Sequence, residues 1–395
     1  MLKKVLLISF IFTIRWQATF PNTIAPGIDY EHMQQKDPNL SIHTLEINPN
    51  LAEIKIAKAF ENQSFGRKIL SKIATENSAV AAVNGGFFDC KINVLEKINR
   101  YFGKYLKNFL SFLNMRETDN GNPAGNLKIK NRFISTSNPT RTKRGTICWS
   151  QDGKKAEIIR LKIKFELKIG GKEFPVNRIN YDRKHFKAVL YTPDFNEKTM
   201  TNSDGTEIII KEGKVEKIIQ NQGNSLIPKD GFAYSVSNSL ELDLNKIKLY
   251  DEVEITYRYL LDTDQEKEDE IKQFANMVEG APVLILNNQK IDLSKNKENV
   301  IESFINNKHP RTAVGIKPNG NWIFVVVDGR QPELSVGMNL HELANFIEKL
   351  GCEKALNLDG GGSSHIFVNG KIKNSPSDVK ERPISNAFLI FPKKG

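Results

Sequence analysis

The segment ALNLDGGGSS, residues 355–364, joins a short apolar stretch to an aspartate, three glycines and two serines. The apolar residues predict a buried strand, which would hold the following loop in a fixed position. Glycine has no Cβ atom, so a ligand can approach its backbone N–H group, and three glycines in succession can form a concave anion site. The segment matches neither the GxxxxGK[ST] phosphate loop nor the GxGxxG dinucleotide loop. It predicts a ligand-binding turn at a strand end.

Three other segments also place polar residues and glycines beside an apolar stretch: NGGFFD (84–89), PRTAVG (310–315) and DGRQPELSVG (328–337). Asp328 and Asp359 are the best-placed carboxylates. Arg311 and Arg330 can each bind a phosphate through two parallel hydrogen bonds. The predicted substrate-binding residues are Asn84, Gly85, Arg311, Thr312, Arg330, Gly360, Gly361, Gly362, Ser363 and Ser364.

The same residues also have structural explanations. Asp328 can form an Asx turn that fixes its loop, and Asp359 can pair with Arg311. His341 and His365 lie in a predicted helix and beside an apolar strand, where a histidine without a positioned partner is usually structural. Convergence of both aspartates with Arg311 and Arg330 in one pocket would favour the functional interpretation.

The hydrophobic pattern predicts many strands and a few helices. Apolar and polar residues alternate over 41–47 and 52–57, as in half-buried strands, and similar patterns recur between 127 and 259. Short helices are predicted at 69–76 and 271–277.

A longer helix is predicted at 340–350, where Asn339 would cap its start and Gly351 would end it. Together these elements predict an α+β (mixed α/β) fold. It would be one sheet-rich domain over residues 40–395 with flanking helices, preceded by a polar linker at 21–39.

The first 20 residues are typical of a signal peptide or an N-terminal anchor. Lys3 and Lys4 precede the apolar run VLLISFIFTI (5–14), which has the length of a signal-peptide core and is short for a membrane span. The sequence therefore predicts an exported protein, in the periplasm, at the cell surface or secreted.

The segment from Lys91 to Met115 has apolar residues at helical spacing, with lysine and arginine between them. This predicts a basic amphipathic helix, or two broken near Gly103, within an insertion at 91–120. Packing on the domain is the favoured interpretation. Peripheral contact with an anionic membrane is the alternative.

The net charge of +11, from 57 basic and 46 acidic residues, favours anionic partners. The lysines are scattered, which indicates a solvated surface rather than a nucleic-acid site. Cys90, Cys148 and Cys352 form no disulfide framework, and their spacing does not suggest zinc. No cofactor is required on this evidence, and the sequence leaves open a divalent cation held by the carboxylates.

Taken together, AVNGGFFD, HPRTAVG, VVVDGR and ALNLDGGGSS resemble the phosphodiester glycosidase family in order and approximate spacing, over about residues 41–391. The closing RPISNA, residues 382–387, resembles the family's last motif. The stretch 91–120 departs from the family pattern as an insertion, and the middle of the chain is hard to align. The substrate's identity therefore does not carry over.

The resemblance implies hydrolysis of a sugar-1-phosphodiester in a glycan or an envelope polymer. Arg311, Arg330 and the glycine N–H groups would hold the phosphate, with Asp359 or Asp328 as base or nucleophile. Asn84 and Ser363 would hydrogen-bond the sugar or the phosphate. A non-catalytic glycan- or envelope-binding protein on the same fold is the alternative. The sequence does not indicate the oligomeric state.

Overall fold

The computed structural model describes residues 17–18, 22–89, 121–262, 268–295 and 297–393. The predicted amphipathic insertion and almost all of the predicted signal segment lie outside these residues. Within the described chain, strands make up most of the regular structure.

The strands of the first half are β1 (Gln17–Ala18), β2 (Asn22–Ala25), β3 (Ile28–Gln35), β4 (Leu40–Ile47), β5 (Ala52–Lys58), β6 (Ala81–Asn84), β7 (Leu127–Ile129), β8 (Arg132–Ser135), β9 (Arg144–Trp149), β10 (Ala156–Ile169), β11 (Lys172–Phe174), β12 (Arg178–Ile179) and β13 (Ala188–Tyr191). Those of the second half are β14 (Thr206–Lys211), β15 (Lys214–Gln220), β16 (Gly231–Val236), β17 (Val253–Leu261), β18 (Asn276–Glu279), β19 (Val283–Leu286), β20 (Gln289–Lys290), β21 (Arg311–Ile316), β22 (Trp322–Val327), β23 (Lys354–Asn357), β24 (Ile366–Val368), β25 (Lys371–Ile372) and β26 (Asn386–Pro392). The α-helices are α1 (Leu70–Glu76), α2 (Arg183–Phe186), α3 (Glu268–Lys272), α4 (Glu302–Asn306) and α5 (Leu340–Lys349).

The described strands form four sheets. A nine-stranded sheet has the order β1-β3-β4-β22-β21-β23-β19-β20, with β2 also paired to β3. A seven-stranded sheet has the order β11-β10-β9-β18-β7-β8, with β17 beside β10. The outer sheet is β12-β13-β16-β14-β15, and the terminal sheet, β25-β24-β6-β26-β5, combines strands from both ends of the chain.

An aromatic cluster joins three of these sheets at the centre of the protein. Trp149 of the seven-stranded sheet lies edge-on to Trp322 of the nine-stranded sheet, with ring centroids 5.5 Å apart. Phe388 of the terminal sheet packs on Trp149 at 5.7 Å and on Phe324 at 4.9 Å. Since aromatic pairs of this geometry bury large apolar areas, the cluster fixes the three sheets relative to one another.

Helix α5 covers the other face of the nine-stranded sheet. Leu343 and Ile347 are fully buried against the apolar side chains of β21 and β22. The helix begins with a capping box, in which Asn339 Oδ1 accepts from the Glu342 N–H and Glu342 Oε2 accepts from the Asn339 N–H, at 2.8 and 2.9 Å. The predicted helix, its cap and its glycine stop are confirmed.

The antiparallel pairing of β21 with both β22 and β23 brings the predicted site segments together. In an antiparallel pair the start of one strand lies beside the end of its partner. Arg311, at the start of β21, therefore lies beside Val327 at the end of β22. Leu358, just beyond β23, donates its N–H to the Thr312 oxygen at 2.9 Å. The loops that begin at Asp328 and Asp359 thus leave the sheet at the same end of its central strands.

The structure differs from the sequence-based expectation in the balance of elements. The sheet-rich character is confirmed, but the fold is mainly β rather than mixed α/β. Residues 271–277, expected to be helical, instead contain the end of α3 and the start of β18, whose residues pair with both β7 and β9. Pairing on both sides outweighs the local helical pattern in this segment.

Residues 21–39, expected to be a linker, contain β2 and β3. Strand β3 pairs with β4 from Ile28↔Ile47 to Gln35↔Leu40. Its sequence, IDYEHMQQ, is mostly polar and lacks the alternation of a half-buried strand, and one of its polar side chains, His32, stacks on His43 of β4 with ring centroids 4.2 Å apart.

Candidate active site

Asp359 lies two residues beyond β23, at the entrance to the glycine loop formed by residues 360–362. Its Oδ1 accepts a hydrogen bond from the Gly360 N–H at 2.9 Å. Burial raises the pKa of Asp359 to about 6, opposed by the Ser363 hydroxyl, by Arg382 and by the Gly360 N–H. A carboxyl group that titrates near neutrality can accept or donate a proton at physiological pH.

The glycine loop lies directly beneath two guanidinium groups. A Cβ atom added at Gly361 would lie 3.1 Å from Nη2 of Arg330, and one added at Gly362 would overlap Arg382 and Asp378. Gly361 has a φ of +62° and donates its N–H to the Pro310 oxygen at 2.9 Å. The absence of side chains at these positions is therefore what allows the cationic groups to approach the loop.

Arg330 and Arg382 are the cations that lie over the glycine loop. Arg330 is exposed, and its Nη2 lies 3.5 Å from Nδ1 of His309. Arg382 donates from Nε and Nη2 to Oδ2 of Asp378, at 2.8 and 2.6 Å. Partial burial lowers the pKa of Arg330, and the charge of Arg382 acts in the same direction while Asp378 opposes it. Arg330 lies beside Gly361 and the Arg382–Asp378 pair lies beside Gly362, so the three side chains form one charged cluster over the glycine loop.

Asn84 holds the glycine loop from behind. Its Nδ2 donates to the main-chain oxygen of Asp359 at 2.7 Å. Its Oδ1 accepts from the Thr312 hydroxyl at 2.8 Å and from the His365 N–H at 3.2 Å. The side chain is only 1% exposed, so its polar atoms serve the protein's own hydrogen bonds. The neighbouring Gly85 donates its N–H to the Asn386 oxygen, and a Cβ there would overlap the Asn386 amide.

Arg311 and Thr312 point to opposite faces of β21, as successive residues of a strand must. Thr312 faces Asn84. Arg311 faces the helical side, where Nε donates to the Met338 oxygen and Nη2 to the Phe304 and Asn307 oxygens, at 2.7 to 2.8 Å. Burial lowers the pKa of Arg311 to about 10. Backbone carbonyls therefore occupy Nε and Nη2 of its guanidinium group. No described residue hydrogen-bonds to the third nitrogen, Nη1.

Asp328 is buried in a network of four hydrogen bonds. Oδ2 accepts from the Ser41 hydroxyl at 2.8 Å and contacts Nε2 of His43 at 3.3 Å. Oδ1 accepts from Nδ2 of Asn374 at 3.1 Å and from the Ser375 N–H at 2.9 Å. The side chain is 1% exposed. This arrangement suits a residue that positions its neighbours rather than one that acts as a base.

Asn374 connects Asp328 to the glycine loop, since its Nδ2 also donates to the Ser364 oxygen at 2.9 Å. The side chains of Ser364 and His365 are also buried. No described residue hydrogen-bonds to the Ser364 hydroxyl or to the two ring nitrogens of His365. Burial lowers the pKa of His365, which favours its neutral form.

The structure thus brings Asp359, Ser363, Arg330 and the glycine loop together, with Asn84, Thr312 and Asp328 supporting them. The expected convergence of both aspartates with Arg311 and Arg330 is not found, because Arg311 faces away and Asp328 is held by other residues. Sequence reasoning did not select Asp378 or Arg382. Asp378 lies in an irregular loop that carries no periodic signal, and Arg382 was noted only as the first residue of RPISNA.

In the described part of the chain, no group of three His, Cys, Asp or Glu side chains is placed to hold a metal ion. Cys148 and Cys352 are free and buried, and Cys90 lies outside the described residues. None of the described helices combines the length and apolar character needed to cross a bilayer.

Comparison with known proteins supports the family resemblance. Residues 204–391 match the model of the phosphodiester glycosidase family. N-acetylglucosamine-1-phosphodiester alpha-N-acetylglucosaminidase of Mus musculus is 32% identical over 124 residues, which cover 29% of this chain and 24% of the mouse protein. The SPbeta prophage-derived uncharacterized protein YomE of Bacillus subtilis is 38% identical over 86 residues, 22% of this chain and 13% of that protein. The matched stretches thus span less than a quarter of each relative's length.

The fold also occurs in a solved structure. A hypothetical protein from Synechocystis superposes with a TM-score of 0.70 at 20% sequence identity, over 93% of this chain and 64% of the other. At this identity the likeness concerns the fold alone.

Proposed function

Because residues 204–391 match the phosphodiester glycosidase family, we propose that the protein hydrolyses sugar-1-phosphodiesters. The bond between the sugar and the phosphate is broken by water. The observation that carries the proposal is the position of Asp359, a carboxyl group whose pKa is raised to about 6, next to a glycine loop covered by Arg330 and Arg382.

In the proposed complex, the phosphate of the substrate lies over the glycine loop. Arg330 is exposed and presents donor groups suited to phosphate oxygens, and Arg382, partly exposed and paired with Asp378, lies beside it. Arg311, expected from the sequence to hold the phosphate, is assigned instead to positioning α4 and the start of α5 through its three carbonyl contacts.

Asp359 supplies the reacting carboxylate. As a base it takes a proton from water while the water oxygen bonds to the anomeric carbon, and the sugar–oxygen bond breaks with its electron pair staying on the phosphate. As a nucleophile it attacks that carbon itself, and water then hydrolyses the sugar–enzyme ester. The first path inverts and the second retains the anomeric configuration. Since a phosphate monoester leaves readily as an anion, neither path needs a strong general acid.

Asp328 is assigned a positioning role. Its two oxygens are already engaged by Ser41, His43, Asn374 and Ser375. Through these contacts it fixes the loop that carries Arg330 and, through Asn374, the main chain at Ser364.

We further propose that the protein is exported and acts on an anionic glycan or envelope polymer. The N-terminal pattern and the high positive charge support export and an anionic glycan or envelope polymer as substrate. A non-catalytic envelope-binding protein would need the same phosphate contacts, but it would not need the raised pKa of Asp359.

The test is release of reducing sugar from a panel of sugar-1-phosphodiesters that includes N-acetylglucosamine-α-phosphoryl compounds. We expect release by the parent protein and a loss of at least about a hundredfold in Asp359→Asn, the scale of a lost proton-transfer group. The surface variant Asp230→Asn serves as the matched control. No release from any substrate by folded parent protein would instead favour the binding function. The anomer formed first, observed by NMR, distinguishes inversion from retention.

A further inference from the structure

Asp378 places a carboxylate against Arg382, one of the two cations of the proposed phosphate site. Its Oδ2 accepts two hydrogen bonds from Arg382, at 2.8 and 2.6 Å. The side chains of Arg382 and Asp378 are 34% and 36% exposed, so both remain accessible to a ligand. The pair packs directly on Gly362, where any Cβ atom would overlap it.

The carboxylate changes the charge that a ligand meets. Arg330 and Arg382 contribute two positive charges beside the glycine loop, and Asp378 removes one of them. A phosphodiester carries one negative charge. A phosphomonoester carries nearly two above its second pKa, which is about 6 for phosphate esters of this kind. With Asp359 uncharged, as in Asp359→Asn, one positive charge remains, and it matches the diester and not the dianionic monoester.

We propose that Asp378 is a specificity-determining residue that makes this site select phosphodiesters over phosphomonoesters. The inference rests on the proposed function, because it assumes that the phosphate lies over the glycine loop. Specificity of this kind arises from a repulsive contact with the wrong ligand as much as from attraction to the right one.

The same contact acts on the reaction product. Hydrolysis of a sugar-1-phosphodiester leaves a phosphomonoester, which gains its second negative charge when the electron pair of the broken sugar–oxygen bond stays on the phosphate. Repulsion from Asp378 grows with that charge, so it weakens binding of the product more than binding of the substrate. Asp378 thereby contributes to product release as well as to selection.

The test compares the binding of N-acetylglucosamine 1-phosphate with that of its methyl phosphodiester by titration calorimetry. All proteins carry Asp359→Asn, so that no substrate is consumed and Asp359 does not titrate. At pH 8 we expect the diester to bind about tenfold more tightly than the monoester, as one like charge at close range can produce. At pH 5, where the monoester carries one charge, the preference should largely disappear.

Two further variants make the assignment specific. Adding Asp378→Asn should abolish the preference at pH 8, whereas Asp378→Glu, which keeps the charge, should retain it. An unchanged ratio of the two affinities in Asp378→Asn would overturn the inference. If that variant fails to fold, a preference that is the same at pH 5 and pH 8 in the Asp359→Asn protein overturns it. Failure of every folded protein to bind either ligand would instead contradict the proposed function, and the inference with it.

Discussion

The side-chain amide of Asn84 donates a hydrogen bond to the main-chain oxygen of Asp359 at 2.7 Å, although 275 positions separate the two residues. The same amide accepts from Thr312 and from the His365 N–H. One buried side chain therefore joins the terminal sheet, the nine-stranded sheet and both ends of the glycine loop.

Asn84→Ala should destabilise the protein and lower its activity. The substitution leaves a buried carbonyl and a buried hydroxyl without their partner, which should lower the free energy of unfolding by about 3 kcal/mol. Urea denaturation measures the loss, with the exposed Asn50→Ala as the control, expected to change stability by less than about 0.5 kcal/mol. A stable Asn84→Ala protein with unchanged kcat would show that the amide does not hold the loop.

Asp359→Asn should make the folded protein more stable at neutral and alkaline pH. The pKa of Asp359 is about 6 in the folded state, above the value of about 3.9 expected in the unfolded chain. The folded state therefore binds more protons between these values, and the free energy of unfolding falls as pH rises through the interval, by up to about 3 kcal/mol. In Asp359→Asn the residue does not titrate, so this fall in the free energy of unfolding should be absent.

The corresponding measurement is urea denaturation of parent and Asp359→Asn proteins at pH 4, 6 and 8. The curves should nearly coincide at pH 4 and differ in midpoint at pH 8, with the variant more stable. A gap that stays constant over this range would mean that the carboxyl group titrates normally. For the proposed hydrolysis by the parent protein, kcat/KM should rise with pH through about 6, because the charged carboxylate is the proposed reactive form.

Arg330→Lys should weaken substrate binding with little effect on folding. Lysine retains the positive charge but cannot form two parallel hydrogen bonds to a phosphate, so KM should rise about tenfold. Initial-rate kinetics measure this change, and Arg258→Lys on β17, whose partner is the surface residue Glu166, is the matched control. Equal KM values for both variants would remove Arg330 from the phosphate site.

Asp328→Asn should act mainly on stability. The substitution neutralises a buried group that holds four partners, and loss of a buried ionic acceptor typically costs about 3 kcal/mol or more. Thermal denaturation compares it with the exposed Asp230→Asn. The opposite pattern, in which activity disappears while stability is retained, would return Asp328 to the catalytic role expected from the sequence.

Sequence patterns were informative where a property is local. Alternation over residues 41–47 and 52–57 predicted β4 and β5, which the structure contains. The segments that follow apolar strands were also recognisable, because polar residues and glycines at such positions depart from ordinary core composition.

The direction of each side chain was not predictable in this way. Arg311 and Thr312 are adjacent, and which of them faces Asn84 depends on the pairing of β21 with its neighbours, since a shift of one residue exchanges the two faces. Asp378 and Arg382 reach the site from an irregular loop. Their position depends on long-range packing over Gly362, which leaves no periodic signal in the sequence.

Strand β26 lies between β5 and β6, and its first residue, Asn386, accepts the N–H groups of both Gly85 and Gly86. A chain still being synthesised therefore lacks these two hydrogen bonds until translation has passed residue 386. Asn84 and its loop emerge from the ribosome some three hundred residues earlier and must wait for their last partner. We expect the incomplete chain to have no hydrolase activity, and activity to appear only when folding is complete.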